Sequence, residues 1–139
     1  MSAVTGRSFN FPDATCSRKQ QPVILIADDD DMVRNFLVAV MKSEGYDVLA
    51  CTDGQEGLEL SRKLASKIDL IVTDLEMPHM NGVEFCAHVR AERPGVKIVI
   101  ISGSGNRQLT GVAQDASFLS KPLDLPTFSA TVRELLTDN

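Results

Sequence analysis

From Val23 onward, short apolar runs alternate with longer stretches of helical periodicity. Val23–Ala27 is apolar throughout, as expected of a strand covered on both faces. Met32, Val33, Phe36, Leu37, Val40 and Met41 then recur at helical spacing, and Gly45 supplies a stop signal. Tyr46–Cys51 reads as a second strand. Gln55–Ala65 reads as a helix, with Leu58, Leu60 and Leu64 available for its buried face. Leu70–Thr73 is a third apolar run, ended by Asp74. A loop follows, Met77-Pro78-His79-Met80-Asn81-Gly82, and then a helical stretch over Val83–Glu92. Pro94-Gly95 marks a turn. Lys97–Ile101 is the most β-branched strand, Ser117–Ser120 is a short fifth one, and Leu125–Leu136 is a closing helix that tolerates Pro126 in its first turn. Residues 103–116 should hold the fourth helix. They open on Gly103-Ser104-Gly105-Asn106 and contain Gly111. Since Gly costs about 1 kcal/mol against Ala inside a helix, this pattern predicts a short or irregular helix.

Five strands alternating with helices predict an α/β fold, a doubly wound parallel sheet with helices on both faces. Right-handed crossovers leave few topologies. At this size the flavodoxin-like strand order 2-1-3-4-5 is the expected one, with the functional crevice at the carboxyl ends of the strands.

Composition changes this picture at the margins. Residues 1–21 are polar and aperiodic, with Phe9 and Phe11 the large apolar exceptions. They read as a flexible tail ahead of one domain over residues 22–139. The net charge is −5, and Asp28, Asp29, Asp30 and Asp31 stand side by side. No basic stripe interleaved with aromatics appears, which disfavours direct nucleic-acid binding. The apolar runs are far shorter than the roughly 20 residues needed to span a bilayer, and the N-terminus lacks a secretory h-region. Three cysteines, Cys16, Cys51 and Cys86, have no metal-type spacing. Cys51 and Cys86 fall in apolar segments and read as reduced core thiols, with Cys16 free in the tail. Cytoplasmic residence without membrane insertion is the expectation.

The topology gathers the polar residues. Asp28 and Asp29 end the first strand, Asp74 the third, Ser102 the fourth and Lys121 the fifth. Parallel strands bring these ends to one crevice. Two like charges about 4 Å apart cost about 4 kcal/mol at an effective dielectric of 20. Lys121 offsets part of that cost. A hard divalent cation offsets more, and few protein ligands with remaining waters suit Mg²⁺. Carboxylate, hydroxyl, lysine and Mg²⁺ together make a phosphoryl-transfer site in which a carboxylate oxygen attacks phosphorus in line.

Four segments carry a family resemblance: Val23-Ile24-Leu25-Ile26-Ala27-Asp28-Asp29, the run from Asp69 through Asp74 to Gly82, Ile98-Val99-Ile100-Ile101-Ser102-Gly103, and Phe118-Leu119-Ser120-Lys121-Pro122-Leu123. In that order, over residues 22–138, they resemble the response regulator receiver domain. The resemblance implies that Asp74 is the phosphoacceptor. It implies that Asp29, Asp74 and the Glu76 backbone carbonyl hold Mg²⁺, with Asp28 assisting through water. Ser102 and Lys121 would engage the phosphoryl oxygens, Phe118 would be the switch aromatic, and the Lys121-Pro122 bond would be cis. It also implies a histidine kinase or histidine phosphotransferase as donor. No second domain is expected after the last helix, so output is expected through a downstream protein target, the alternative being a fragment of a larger regulator or hybrid kinase.

Taken singly, these residues are ordinary. A strand ending in Asp is common, Ser102 could be a turn residue, Phe118 plain core and Lys121 surface charge; it is the conjunction that is specific. Asp30 and Asp31 read as helix caps rather than ligands. His79 and His88 read as surface residues, Gly54 and Gly57 as turn and packing positions, and Met77 and Met80 as packing beneath the loop. The family tunes dephosphorylation two residues past the acceptor and two past the hydroxyl. Here those positions are Glu76 and Ser104, neither an amide that would position an attacking water, so unusually fast self-dephosphorylation is not expected. The Ser102-to-Lys121 stretch is shorter than is common in the family, and Gln114-Asp115-Ala116-Ser117 replaces its usual small-residue turn. Partner recognition is therefore expected at the first helix, the last helix or a loose segment. Two rivals remain. A haloacid-dehalogenase-type phosphatase would want its nucleophile on the first strand and a second Asp two residues on, where this chain has Asp74 on the third strand and Glu76. A degenerate receiver would act only as an interaction module.

Overall fold

The computed structural model describes residues 21–64, 68–103 and 116–137. Five parallel strands form one sheet: β1 (Val23–Ala27), β2 (Asp47–Cys51), β3 (Leu70–Asp74), β4 (Lys97–Ser102) and β5 (Ser117–Ser120). Their order is β2-β1-β3-β4-β5, as the sequence predicts. Register is carried by apolar pairs such as Leu25 with Ile71 and Val72 with Val99. The described helices are α1 (Asp31–Ser43), α2 (Gly54–Lys63), α3 (Gly82–Glu92) and α4 (Leu125–Thr137).

Successive strand residues point to opposite faces, so the central strands feed two cores. Leu25, Ala27, Ile71, Ile98 and Ile100 pack with Leu58 of α2 and Phe85, Cys86 and Val89 of α3. Ile24, Ile26, Leu70, Val72, Val99 and Ile101 pack with Leu37 and Met41 of α1 and Phe128 and Val132 of α4. This double coverage is why β1 reads as an unbroken apolar run and β3 and β4 as nearly so. Strand β2 lies at the sheet edge, and its Asp47 and Ala50 are exposed.

Helix starts are fixed by side-chain caps. Asp30 accepts hydrogen bonds from the Met32 and Val33 N–H groups at 2.9 and 3.2 Å, the N-cap role expected of it. Asp31 lies one residue inside and pairs with Arg34 at 2.5 Å. Asp53 caps α2 through the Glu56 N–H. Asn81 and Glu84 form a reciprocal capping box at the head of α3. Asp124 accepts from the Thr127 N–H at 3.1 Å and so caps α4. Gly45 takes φ +96° just after α1, the left-handed stop that glycine adopts without steric cost.

Some boundaries differ from the sequence reading. Helix α2 starts at Gly54 and ends at Lys63, because the Asp53 cap sets its start and Leu64 turns extended (φ −85°, ψ 117°). Of its expected buried face only Leu58 is fully buried; Gly54, Gly57 and Ser61 are buried beside it. Cys51 and Cys86 are core thiols, each pushed up to about 12 by burial. The expectations of a tail over residues 1–21, of a free Cys16 and of a fourth helix in 103–116 fall on residues outside the described ones, save Gln21, Gly103 and Ala116.

Candidate functional site

The carboxyl ends of β1, β3, β4 and β5 open on one crevice, and each contributes the residue the sequence reading named. Asp28 follows β1 directly, Asp74 and Ser102 are the last residues of β3 and β4, and Lys121 follows β5. Carboxylate oxygens of Asp28, Asp29 and Asp74 all lie within 4.8 Å of one another. The Lys121 Nζ is 3.4 Å from Asp74 Oδ2 and 3.8 Å from Asp28 Oδ2. Ser102 is buried beside them, and its carbonyl accepts the Lys121 N–H at 3.0 Å. The Lys121-Pro122 bond is cis.

Asp28 is the least comfortable of these groups. Its side chain is only 1 % exposed. Oδ1 accepts the Asp30 N–H at 2.9 Å, whereas Oδ2 is buried without a hydrogen bond. Burial is the largest influence pushing its carboxyl above the usual range. Asp74 and Asp29 push the same way, and the Asp30 N–H and Lys121 pull it back. A hard cation fits this donor set: three carboxylates converge, one with an oxygen left unsatisfied.

That arrangement makes a stability prediction. A carboxyl with a raised folded-state pKa binds its proton more readily folded than unfolded, so metal-free stability falls as pH rises through the window above the ordinary value of 3.8. Asp28→Asn removes the buried charge. It is therefore expected to stabilise the metal-free protein at pH 7 by about 1–4 kcal/mol, the range typical when a buried charge is replaced by a neutral group. The gain should vanish as wild type is acidified through the window. Thermal melts of both proteins across pH check this, and an asparagine variant less stable at pH 7 would contradict it.

The remaining candidates sit around this core. Glu76 is exposed and lies outside the three-carboxylate group; the resemblance involves its backbone carbonyl rather than its side chain. Phe118 is partly buried and packs against the α2–α3 core. His79 and His88 are exposed, and Met77 and Met80 pack beneath their loop.

Other residues were not picked out by sequence pattern. Arg34 Nη1 donates to the Asp28 carbonyl at 2.8 Å and ties the β1–α1 turn to helix α1. Gly82 packs directly under Asp74: a Cβ there would lie 2.4 Å from the Asp74 carbonyl oxygen. The Gly82 N–H donates to the Leu75 carbonyl at 2.8 Å. His79 takes a left-handed φ of 68°, and its Nδ1 lies 2.9 Å from Asp53 Oδ2. The Glu56 N–H and then His79 hold the Asp53 carboxyl below its ordinary range. The spacings Asp53…Glu56 and Asn81…Glu84 were visible cap signals. The Arg34 contact had none.

Beside Lys121, an apolar groove of about 380 Å³ is lined by Met32, Val33 and Phe36 of α1 and by Lys121, Pro122 and Leu123. No described helix is long and apolar enough to cross a membrane.

Comparison with known proteins agrees with this architecture. A sensor kinase CckA from Brucella abortus is 33% identical over 116 residues, 81% of this chain and 12% of that protein. A response regulator ArlR from Staphylococcus saprophyticus is 32% identical over 115 residues, 81% of this chain and 51% of that protein. The chain thus spans about half or less of these curated relatives. Among solved structures, the receiver domain of the hybrid histidine kinase CckA superposes with a TM-score of 0.72 at 30% identity, covering 82% of this chain and 98% of that one. A receiver domain protein from Clostridium thermocellum gives a TM-score of 0.77 at 23% identity, covering 84% of this chain and 94% of that one. The family model described as the response regulator receiver domain matches residues 24–133, and this chain belongs to that family.

Proposed function

We propose that this receiver domain is a working phosphorylation switch with Asp74 as its phosphoacceptor. The observation that carries the reading is the convergence of Asp28, Asp29 and Asp74 within 4.8 Å, with Lys121 3.4 Å from Asp74. The Asp74 carboxylate attacks phosphorus as the P–N bond to the donor's imidazole breaks, and the imidazole leaves and takes up a proton. Lys121 pairs with a phosphoryl oxygen and Ser102 donates a hydrogen bond to another. Asp28, Asp29, Asp74 and the Glu76 carbonyl would hold Mg²⁺. When bound, that ion supplies charge neutralisation for carboxylates and phosphoryl oxygens alike. A response regulator from Thermotoga maritima, 24% identical, has been solved in complex with Mg(2+)-BeF.

The phosphoryl donor is a histidine kinase or histidine phosphotransferase, which must place a phosphoimidazole over Asp74. The groove of Met32, Phe36, Pro122 and Leu123 beside Lys121 gives it an apolar seat. Phosphorylation is read out by repositioning Ser102 and Phe118 and altering a protein-binding face, in the cytosol. The domain catalyses only its own phosphorylation and dephosphorylation. A ligand shifts such an equilibrium only by its differential affinity for the two states.

The test is intact mass after incubation with acetyl phosphate, with and without Mg²⁺. One phosphoryl adduct that requires Mg²⁺ is expected. A wild-type chain that takes up none, from acetyl phosphate or from a phosphohistidine donor protein, would leave a receiver-fold binding module.

A further inference from the structure

Two of the three converging carboxylates, Asp28 and Asp29, stand on the turn between β1 and α1. That turn has to hold its shape against their mutual repulsion. Asp28 is tied at three points. Its N–H donates to the Cys51 carbonyl of β2 at 3.1 Å, its Oδ1 accepts the Asp30 N–H at 2.9 Å, and its carbonyl accepts from Arg34 Nη1 at 2.8 Å. Of these three ties only the last comes from the side chain of another element, and α1, which carries it, is anchored by Leu37 and Met41 in the core.

The tie to the carbonyl bears on Asp29. A peptide unit is planar, so the Asp28 carbonyl and the Asp29 N–H turn together. Fixing the carbonyl fixes the plane from which Asp29 hangs. Asp29 is exposed and has none of the burial that confines Asp28, so its backbone decides where its carboxylate points. The guanidinium is itself oriented. Arg34 Nη2 pairs with Asp31 at 2.5 Å, and the Arg34 side chain is only 14 % exposed. One planar fork therefore spans from Asp31 to the Asp28 carbonyl. The pair with Asp31 is exposed and adds little stability of its own; it sets the fork's direction.

Charge works the other way. A guanidinium beside a cation site repels the cation, so on charge alone removing Arg34 would tighten cation binding. Positioning and charge thus predict opposite signs.

We propose that Arg34 is a positioning residue for the divalent cation: its fork holds the Asp28 carbonyl so that Asp29 meets Asp28 and Asp74 at one point. This rests on Mg²⁺ being held by those three carboxylates. It does not rest on which of them takes the phosphoryl group.

The test uses the full chain without phosphodonor. Melting temperature is followed as MgCl₂ is raised, and the gain is counted from each protein's own metal-free value, so a loss of stability by itself cancels. A ligand that binds only the folded state raises stability with the logarithm of its concentration over Kd. Arg34→Met keeps an unbranched stem and loses both arms. It is expected to need about tenfold more Mg²⁺ for the same gain, the scale seen when a group that orients a metal ligand is removed. Arg34→Lys, which keeps the charge but not the fork, takes its place if Arg34→Met does not fold. Arg93→Met is the control. Arg93 also donates to backbone carbonyls, those of Ser61 at 2.8 Å and Leu64 at 3.1 Å, but at the end of α2 away from the crevice. Its metal-free melting temperature should fall while its Mg²⁺ dependence stays that of wild type. An unchanged Mg²⁺ dependence in the Arg34 variant would leave Arg34 a support of the turn alone, and tighter binding would leave only its charge; either overturns the proposal. An equal weakening in Arg93→Met would overturn it as well, by tying affinity to stability in general. A wild type without any Mg²⁺ response would remove the cation site and the proposal together. Acetyl phosphate labelling of wild type reports on Asp74 separately, so a labelled wild type with an unshifted Arg34 variant sinks this inference and leaves the switch standing.

Discussion

Asp74→Ala is expected to take up no phosphoryl group under conditions that give wild type one adduct. Three carboxylates lie in the crevice, and the geometry separates them. Asp74 ends the central strand β3 and has Lys121 as its nearest cation at 3.4 Å. Asp29 is exposed. Asp28 is only 1 % exposed, with Oδ1 already engaged by the Asp30 N–H. Removing Asp74 therefore removes the nucleophile together with one of the cation's ligands. The variant should remain folded, because the loss also relieves repulsion against Asp28. A melting temperature at or above wild type in metal-free buffer serves as the control. An adduct of wild-type yield on the folded variant would move the acceptor elsewhere, and peptide mapping would locate it.

The sheet was legible because each central strand is covered twice. Residues alternating between two apolar faces leave β1 wholly apolar and β3 and β4 apolar but for Thr73 and Lys97, so a polar residue at the carboxyl end of such a run marks the rim of the crevice. The candidate site was legible for the same reason at Asp28, Asp74 and Ser102, which close the apolar runs of β1, β3 and β4, whereas Lys121 follows the short, less buried β5 and was legible only together with them. Helix starts were less legible. Asp53 and Asn81 set the starts of α2 and α3 through hydrogen bonds to N–H groups three residues on, whereas the hydrophobic period locates a face and not an end. Least legible were contacts made by absence of a side chain. Gly54 and Gly57 read as turn and packing positions. The structure shows what they pack against: added Cβ atoms would lie 2.6 Å from the Met80 carbonyl oxygen and 2.8 Å from the Phe85 ring. No pattern in one sequence says which glycine touches backbone. The bridge from His79 to Asp53 was equally hidden, since its partners are 26 residues apart and belong to different loops.

Gly82 is the sharpest of these hidden constraints and gives the second large effect. In Gly82→Ala the new Cβ would meet the Asp74 carbonyl oxygen at 2.4 Å, the Leu75 Cα at 3.0 Å and the Asp74 carbonyl carbon at 3.3 Å. All three are backbone atoms of the strand end that presents the acceptor, so no rotamer change relieves the contact. Either α3 or the end of β3 must move. The Gly82 N–H to Leu75 bond at 2.8 Å and the Leu75 N–H to Ile101 bond at 3.0 Å resist that movement. Overpacking of this kind costs about 1–3 kcal/mol, which exceeds the few tenths to about 1 kcal/mol that alanine gains over glycine in a helix. The variant is expected to melt roughly 5–10 °C below wild type. Its labelling by acetyl phosphate should slow by more than about tenfold, because misplacing a reacting group by 1 Å costs on the order of 100-fold. Gly95→Ala is the matched control. A Cβ there meets nothing within 4 Å, so melting and labelling should both stay at wild-type values. If Gly82→Ala behaved like Gly95→Ala, the strand end would be free to yield, and the position of Asp74 would not depend on the helix packed beneath it.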